Sequence, residues 1–329
     1  VRAIKKGAYD YLTKPIVDDD LRLAVERAIR QQSLMSENES LRLQLEQKYS
    51  LENIISHDYK MAKIFDLVEA VADSTTTILM TGPSGTGKSM LARAIHYRSS
   101  RSNKPFVEVS CGAMPETLLE SELFGHVKGA FTGAVGNKEG KFLAANSGTI
   151  FLDEISNASA ALQVKLLRVL QDRTFEPVGS NETKTVDTRI ILATNRNLKE
   201  EVTQGRFRED LYYRINVITV NLPALSERVG DISLLAKHFL KRYSGQHNKK
   251  KLGLTDEALG FLERYPWPGN VRELENVIER AVLLGKGSFI TPDDLPAVIR
   301  QEQIIQQTDY KAVSLKKAVA EPEKNIIRQ

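Results

Sequence analysis

Eight consecutive residues, Gly82-Pro83-Ser84-Gly85-Thr86-Gly87-Lys88-Ser89, constrain this chain more than any other stretch. They fit the spacing G-x-x-x-x-G-K-[ST], after an apolar run that ends at Thr81 and before a helical pattern through Leu91 and Ile95. Glycines at that spacing let a loop wrap phosphate oxygens with backbone N–H groups. Lys88 supplies a cation to the outer phosphates, and the Ser89 hydroxyl is a ligand for Mg²⁺.

Around this loop, short apolar runs at 77–81, 105–110, Thr149–Asp153, Arg189–Thr194 and 217–221 alternate with helical patterns. That alternation predicts an α/β domain over residues 51–222, with a parallel sheet flanked by helices. After Pro223 the strand patterns stop. Residues 231–243, 255–265, 270–284 and 291–298 read as helices, so a small all-helical domain is expected over 223–299. Upstream, Asp18, Asp19 and Asp20 suit a helix N-terminus, and Leu21, Val25, Ala28 and Ile29 form one apolar stripe. The stripe continues loosely through Leu34, Leu41 and Leu45, which predicts a helical linker over 33–50 that is either weakly coiled-coil or simply solvated. Residues 300–313 are polar and unpatterned, and 314–329 begin a helix that Pro322 interrupts. With Val1 first and Gln329 inside a helical pattern, the chain is expected to be a fragment with truncated domains at both ends.

Composition narrows the classes further. A 41% hydrophobic content over 329 residues is enough for a sizeable core. Lys plus Arg number 46 against 42 Asp plus Glu, a net charge of +4, which marks neither a nucleic-acid coat protein nor an acidic binder. The single Cys111 excludes an internal disulfide and cysteine-rich metal sites, and it fits a reducing compartment such as the cytoplasm. No apolar run approaches the roughly 20 residues of a membrane span, and no membrane partner is expected.

Several residues have the chemistry for nucleotide hydrolysis. Ile150-Phe151-Leu152-Asp153-Glu154 is an apolar strand pattern ending in two carboxylates. Asp153 would hold Mg²⁺ through water and Glu154 would polarise the attacking water, although terminal acids also cap helices. Asn195 follows the Arg189–Thr194 run, at the strand end where α/β sheets place ligands, and is otherwise a routine turn former. Arg208 and Arg214 have the spacing of a salt-bridged face, but at a subunit edge either would reach a neighbour's γ-phosphate. Arg272 lies in the first turn of a predicted helix, where the dipole disfavours a cation, so a bound phosphate would account for it. Trp267 reads as core. The stretch from Gly125 to Gly136 holds four glycines around Phe131 and is expected to be a mobile loop with an exposed aromatic tip.

Taken in order, these pieces resemble the NtrC-like enhancer-binding proteins, the AAA+ ATPases that activate bacterial sigma-54 RNA polymerase. The resemblance covers about residues 50–298, and Gly129-Ala130-Phe131-Thr132-Gly133-Ala134 matches the family's GAFTGA loop letter for letter. Glu120-Ser121-Glu122-Leu123-Phe124-Gly125-His126, Phe207-Arg208-Glu209-Asp210-Leu211 and Trp267-Pro268-Gly269-Asn270-Val271-Arg272-Glu273-Leu274 are similar to family stretches as well.

The resemblance implies an AAA+ P-loop ATPase with a helical lid, using ATP and Mg²⁺. Gly82 through Ser89 would hold the nucleotide, with Lys88 as the Walker A lysine and Ile55 as an adenine contact. Asp153 and Glu154 would be the Walker B pair, Asn195 sensor one, Arg272 sensor two, and Arg208 and Arg214 fingers acting in trans. Ser89 and Asp153 would bind the metal. The GAFTGA residues, Phe131 and Thr132 foremost, would touch sigma-54 in the polymerase holoenzyme. The family assembles from dimers into hexameric or heptameric rings that remodel the closed promoter complex into an open one. Residues 1–32 resemble the last third of a response-regulator receiver domain, with Lys14-Pro15 at the family's Lys-Pro position, which implies an upstream sensor kinase. Residues 314–329 resemble the first helix of a Fis-type helix-turn-helix, so enhancer DNA would be bound by the full-length protein and not through this stretch.

The chain departs from the family pattern at Ser110 for Asn, Pro83 and Ser89 for Glu, Ser226 for Arg, and Ser56-His57-Asp58 for a glycine-containing entry. The phosphate motifs alone also permit an AAA+ ATPase with another client, or a DNA-binding scaffold that holds ATP without turnover. The GAFTGA loop argues against the first. Glu154, Asn195, Arg208 and Arg214 together argue against the second.

Overall fold

A computed structural model describes residues 10–12, 14, 16–249 and 252–300. Residues 1–9, 13 and 15 of the receiver resemblance, most of the 300–313 linker and the helix-turn-helix resemblance at 314–329 lie outside the described residues.

In chain order the elements are α1 (Asp18–Lys48), α2 (Tyr59–Val71), β1 (Ile78–Thr81), α3 (Lys88–Tyr97), β2 (Phe106–Ser110) and α4 (Glu116–Phe124). Next come β3 (Gly125–His126), β4 (Lys138–Glu139), α5 (Lys141–Ala144), β5 (Thr149–Asp153), α6 (Ala160–Asp172), β6 (Thr174–Phe175) and β7 (Lys184–Thr185). They are followed by β8 (Arg189–Thr194), α7 (Leu198–Thr203), α8 (Glu209–Ile215), β9 (Ile218–Asn221) and α9 (Val229–Gln246). The last are β10 (Gly253–Leu254), α10 (Asp256–Arg264), α11 (Asn270–Leu284) and β11 (Phe289–Ile290).

The chain divides into two compact units. The first takes the described residues up to Ile54, Lys63–Thr81 and Lys88–Asn221. Its centre is a five-stranded, all-parallel sheet in the order β2-β5-β8-β1-β9. All five strands are those anticipated from the apolar runs. Parallel strands covered by helices on both faces need unbroken apolar sequence, and β5 and β8 are accordingly buried almost throughout. One exception is Arg189, a fully buried cation that donates to the carbonyls of Val71 and Ala72 at the C-terminal end of α2. A helix C-terminus is the favourable place for it. The register sets Ser110 opposite Asp153 and Thr81 opposite both Thr194 and Asn221. The carboxyl ends of the strands therefore line up on one edge.

In this unit α1 runs without a break for 31 residues across the expected boundary between receiver remnant and linker at 32/33. No Gly or Pro interrupts Asp18–Lys48, so nothing in the sequence ends the helix there. None of its residues is buried.

The second unit takes Ile55–Ala62, Gly82–Gly87 and the described residues from Leu222 on. Two short segments of the 51–222 stretch thus group with the helices that follow it. Its core joins Leu235, Phe239, Leu262, Trp267, Leu274 and Ile278 from α9, α10, the following turn and α11. Trp267 is buried as expected, and its indole N–H donates to the Leu262 carbonyl at 2.8 Å. Two sequence expectations need correction here. The unit is not purely helical, because β10 and β11 form a short parallel pair. The helix expected over 291–298 is a 3-10 turn at Pro292–Asp294, then a break where Pro296 pushes Leu295 out of helical conformation, with helix resuming over 297–300.

Candidate active site

The phosphate loop, Gly82–Gly87, is fixed by the helical unit through its carbonyl oxygens. Ser84 O accepts from Asn270 Nδ2 at 2.9 Å, Gly85 O from Val271 N at 3.0 Å and Thr86 O from Arg228 Nη2 at 3.1 Å. A trans peptide points its N–H opposite to its C=O. Tying back three successive carbonyls thus turns the N–H groups of Gly85, Thr86 and Gly87 to the other side of the loop, which makes an anion-binding concavity. Glycine is required at two points. A Cβ on Gly85 would fall 2.3 Å from the Gly269 carbonyl oxygen, and Gly82 takes a left-handed φ of +140° with the Leu222 carbonyl oxygen 2.4 Å from a Cβ position. Arg272 Nη1 lies 3.4 Å from Ser84 Oγ of the phosphate loop. Ile55 is partly buried against the core of the same unit. Beside it, Ser56 Oγ and the His57 N–H both donate to Asp231, at 2.5 and 2.8 Å.

The first unit holds the remaining expected residues along its sheet edge. Lys88 is the first residue of α3 and is buried, with Ser89 next to it half-buried. Asp153 closes β5, and its Oδ1 accepts the Glu154 N–H at 2.9 Å. Glu154 takes a left-handed conformation, φ 56° and ψ 44°, of the strained kind that clusters at functional sites. Its carboxylate lies against Gly112, where an added Cβ would come within 2.1 Å of Glu154 Oε2. Asn195 is exposed immediately after β8. Sheet register thus brings Asp153, Glu154 and Asn195 to one edge.

Arg208 and Arg214 both have partners within the chain. Arg208 caps the start of α8 and pairs with Asp210, Nη2 to Oδ2 at 2.6 Å, with both side chains about half exposed. Arg214 donates to the Leu170 carbonyl at 2.8 Å.

The GAFTGA stretch lies between β3 and β4, a two-residue antiparallel ribbon that sequence patterning had missed. Gly129 N donates to Ala134 O at 2.9 Å and Ala134 N to Phe131 O at 3.0 Å, which folds the six residues back on themselves. Phe131 is not the exposed tip expected. It is half-buried, edge-on to His126 at 5.0 Å, and His126 is held by Ser121 Oγ at 2.7 Å. The ribbon closes the loop at its base and brings the ring down onto its own first strand. Gly129, Thr132 and Gly133 are the exposed residues of the six. Gly179 packs beneath, where a Cβ would fall 2.6 Å from Ala130 Cβ.

A family model described as the sigma-54 interaction domain matches residues 54–221, and one described as an AAA+ ATPase lid domain matches 226–312. The chain belongs to the sigma-54 interaction family. Within it, the chain is 46% identical to the regulatory protein AtoC of Escherichia coli over 334 residues, spanning all of this chain and 72% of that protein. It is 46% identical to the transcriptional regulatory protein ZraR of Salmonella typhimurium (94% and 69% covered) and 50% identical to the Nif-specific regulatory protein of Azotobacter vinelandii (78% and 49%). Crystal structures of NtrX from Brucella abortus, in complex with ATP and with ADP, superpose with TM-scores of 0.74 and 0.75 at 36% identity. They cover 99% and 98% of this chain and 72% and 71% of those chains. The chain thus carries the AAA+ ATPase architecture with its lid.

Sequence reasoning gave no site role to Gly112, Arg228, Asp231, Asn270 or Ser56. Asn270 had only the signal of a helix start after Pro268-Gly269, and Gly112 had none, since its role depends on a carboxylate 42 positions away in sequence.

Proposed function

We propose that the chain hydrolyses ATP at the phosphate loop and uses the energy to remodel sigma-54 holoenzyme at a promoter through the GAFTGA residues. The observation that carries the enzymatic half is the tied-back phosphate loop, whose carbonyls at 84, 85 and 86 are all occupied by donors of the helical unit. Such a loop fits the phosphates of a nucleotide, whose Mg²⁺ would neutralise charge on the transferred phosphoryl group. Lys88 binds the outer phosphates, Ser89 and Asp153 hold the metal, and Ile55 takes the base. Glu154 orients and deprotonates water, Asn195 holds that water or the γ-phosphate, and Arg272 stabilises phosphate charge.

Arg208 and Arg214 act in trans, on a neighbour's nucleotide in a hexameric or heptameric ring. In that state Arg208 exchanges Asp210 for phosphate oxygens. The mechanical half belongs to Thr132 and Gly133, exposed at the turn of a loop whose base is held by His126 and Gly179. In the full-length regulator a receiver domain takes its signal from a sensor kinase and a helix-turn-helix holds enhancer DNA, both in the cytoplasm.

Phosphate release at saturating ATP tests the enzymatic half. Wild-type protein is expected to turn over steadily, and Glu154→Ala to bind ATP without turnover. Equal rates from the two would contradict the role of Glu154.

A further inference from the structure

Buried inside the helical unit is an ion pair that the catalytic scheme above does not use. Arg228 and Asp231 have side chains only 3% and 1% exposed, with Nη1 and Oδ2 3.6 Å apart. Each also reaches a different segment of the nucleotide site. Arg228 Nη2 donates to the Thr86 carbonyl of the phosphate loop, whereas Asp231 accepts from Ser56 Oγ and His57 N beside Ile55. Stability alone is a poor reason for this arrangement. The pair is long, and Arg228 Nε is buried with no hydrogen-bond partner among the described residues. Burial also pulls the Arg228 guanidinium below its ordinary pKa despite the opposing charge of Asp231. Taking such a pair out of water generally costs as much as it returns.

We infer that Arg228 and Asp231 are positioning residues that set both ends of the nucleotide site: Arg228 aims the last N–H of the phosphate loop, and Asp231 fixes the backbone entering the base pocket. Thr86 O is one end of the peptide whose other end is the Gly87 N–H. Holding that oxygen at 3.1 Å therefore fixes the direction of a donor to phosphate. Asp231 pins residues 56 and 57 by two hydrogen bonds, one to a side chain and one to the backbone, so the position of Ile55 is determined by a carboxylate 176 residues later. The two functions are joined because the two side chains pair. The base-side half rests on the proposal that Ile55 contacts the base.

Calorimetric binding of ADP, GDP and inorganic tripolyphosphate to the whole chain separates the two halves. Arg228→Lys keeps the charge but not the fork, and it is expected to weaken all three ligands by a common factor of about tenfold. In turnover it should raise KM for ATP while kcat at saturation stays within about twofold. Ser56→Ala is expected to narrow the preference for ADP over GDP about threefold and to leave tripolyphosphate unchanged. Asp231→Asn should combine both effects; if it does not fold, the other two variants decide. Ile55→Ser reports on the underlying assignment, because an unchanged ADP to GDP ratio would remove Ile55 from the base pocket while leaving the Arg228 result standing. Unchanged affinities in a folded Arg228→Lys protein would overturn the phosphate half. A Ser56→Ala effect equal on ADP and tripolyphosphate would overturn the base half.

Discussion

The Glu154 carboxylate occupies the space that a side chain at Gly112 would need, with the Gly112 Cβ position 2.1 Å from Glu154 Oε2 and 2.7 Å from Asn157 Nδ2. Gly112 does not have the left-handed backbone that would itself demand glycine. Its lack of a side chain therefore serves Glu154 rather than the local turn. Gly112→Ala is expected to displace the carboxylate, lowering kcat by about 10- to 100-fold with ATP affinity unchanged, because misplacement of a catalytic group by about an ångström has effects of that size. The melting temperature should hardly move, since the atom in the way is the free end of a flexible side chain. Single-turnover hydrolysis alongside nucleotide binding makes the comparison, and undiminished turnover would contradict it.

Burial lowers the His96 imidazole to about pKa 4, helped by the nearby Arg189 and Arg93 charges, while a backbone hydrogen bond to Lys104 opposes the shift. The folded state therefore holds this ring neutral, 2.9 Å from Thr149 Oγ1, at a pH where the unfolded chain has begun to protonate it. A depressed pKa contributes stability that is fully present above the unfolded value near 6.5 and is lost as pH falls toward 4, on the order of 3 kcal/mol in all. Urea unfolding at pH 7.5, 5.5 and 4.5 should show that loss in the wild type. The slope should be shallower in His96→Gln, and parallel slopes would contradict the assignment.

Cys111 is buried, and desolvation, reinforced by the charges of Asp153 and Glu154, pushes its thiol up to about 12. Thiolate is the reactive form. Ellman's reagent at pH 8 is expected to label Cys111 within minutes in denaturant and hardly at all in the native protein. Rapid native labelling would show that the loop after β2 opens.

Arg208→Ala is expected to lower turnover by about 10³-fold or more, as loss of an arginine finger does, with ATP affinity nearly intact. The Arg208–Asp210 pair is exposed and of little worth to stability. A matched fall in affinity would count against an action on the transition state, and retained turnover would leave Arg208 as a surface residue.

All five sheet strands and the phosphate loop were legible because each rests on local sequence: an unbroken apolar run, or glycines followed by Lys and Ser. The short ribbon β3/β4 was not, since two residues carry no periodicity. Glycine density suggested an exposed Phe131, but glycines permit a tight fold-back as readily as mobility, and His126 supplied the surface to pack on. The Arg228–Asp231 pair and the Gly112 recess escaped for another reason. Their partners are Thr86, Ser56 and Glu154, separations at which composition and spacing are silent. Arg272 stood out in the sequence because a cation in a first helical turn is locally unfavourable, which left a signal to follow.

The claim that ATP turnover drives promoter opening through the GAFTGA loop is tested most directly with Thr132→Ala, which alters an exposed side chain and leaves the phosphate loop untouched. ATP hydrolysis and open-complex formation by sigma-54 holoenzyme would be measured on the same preparation. Wild-type-level hydrolysis with open-complex formation abolished is the predicted result. Open complexes formed at the wild-type rate would contradict it.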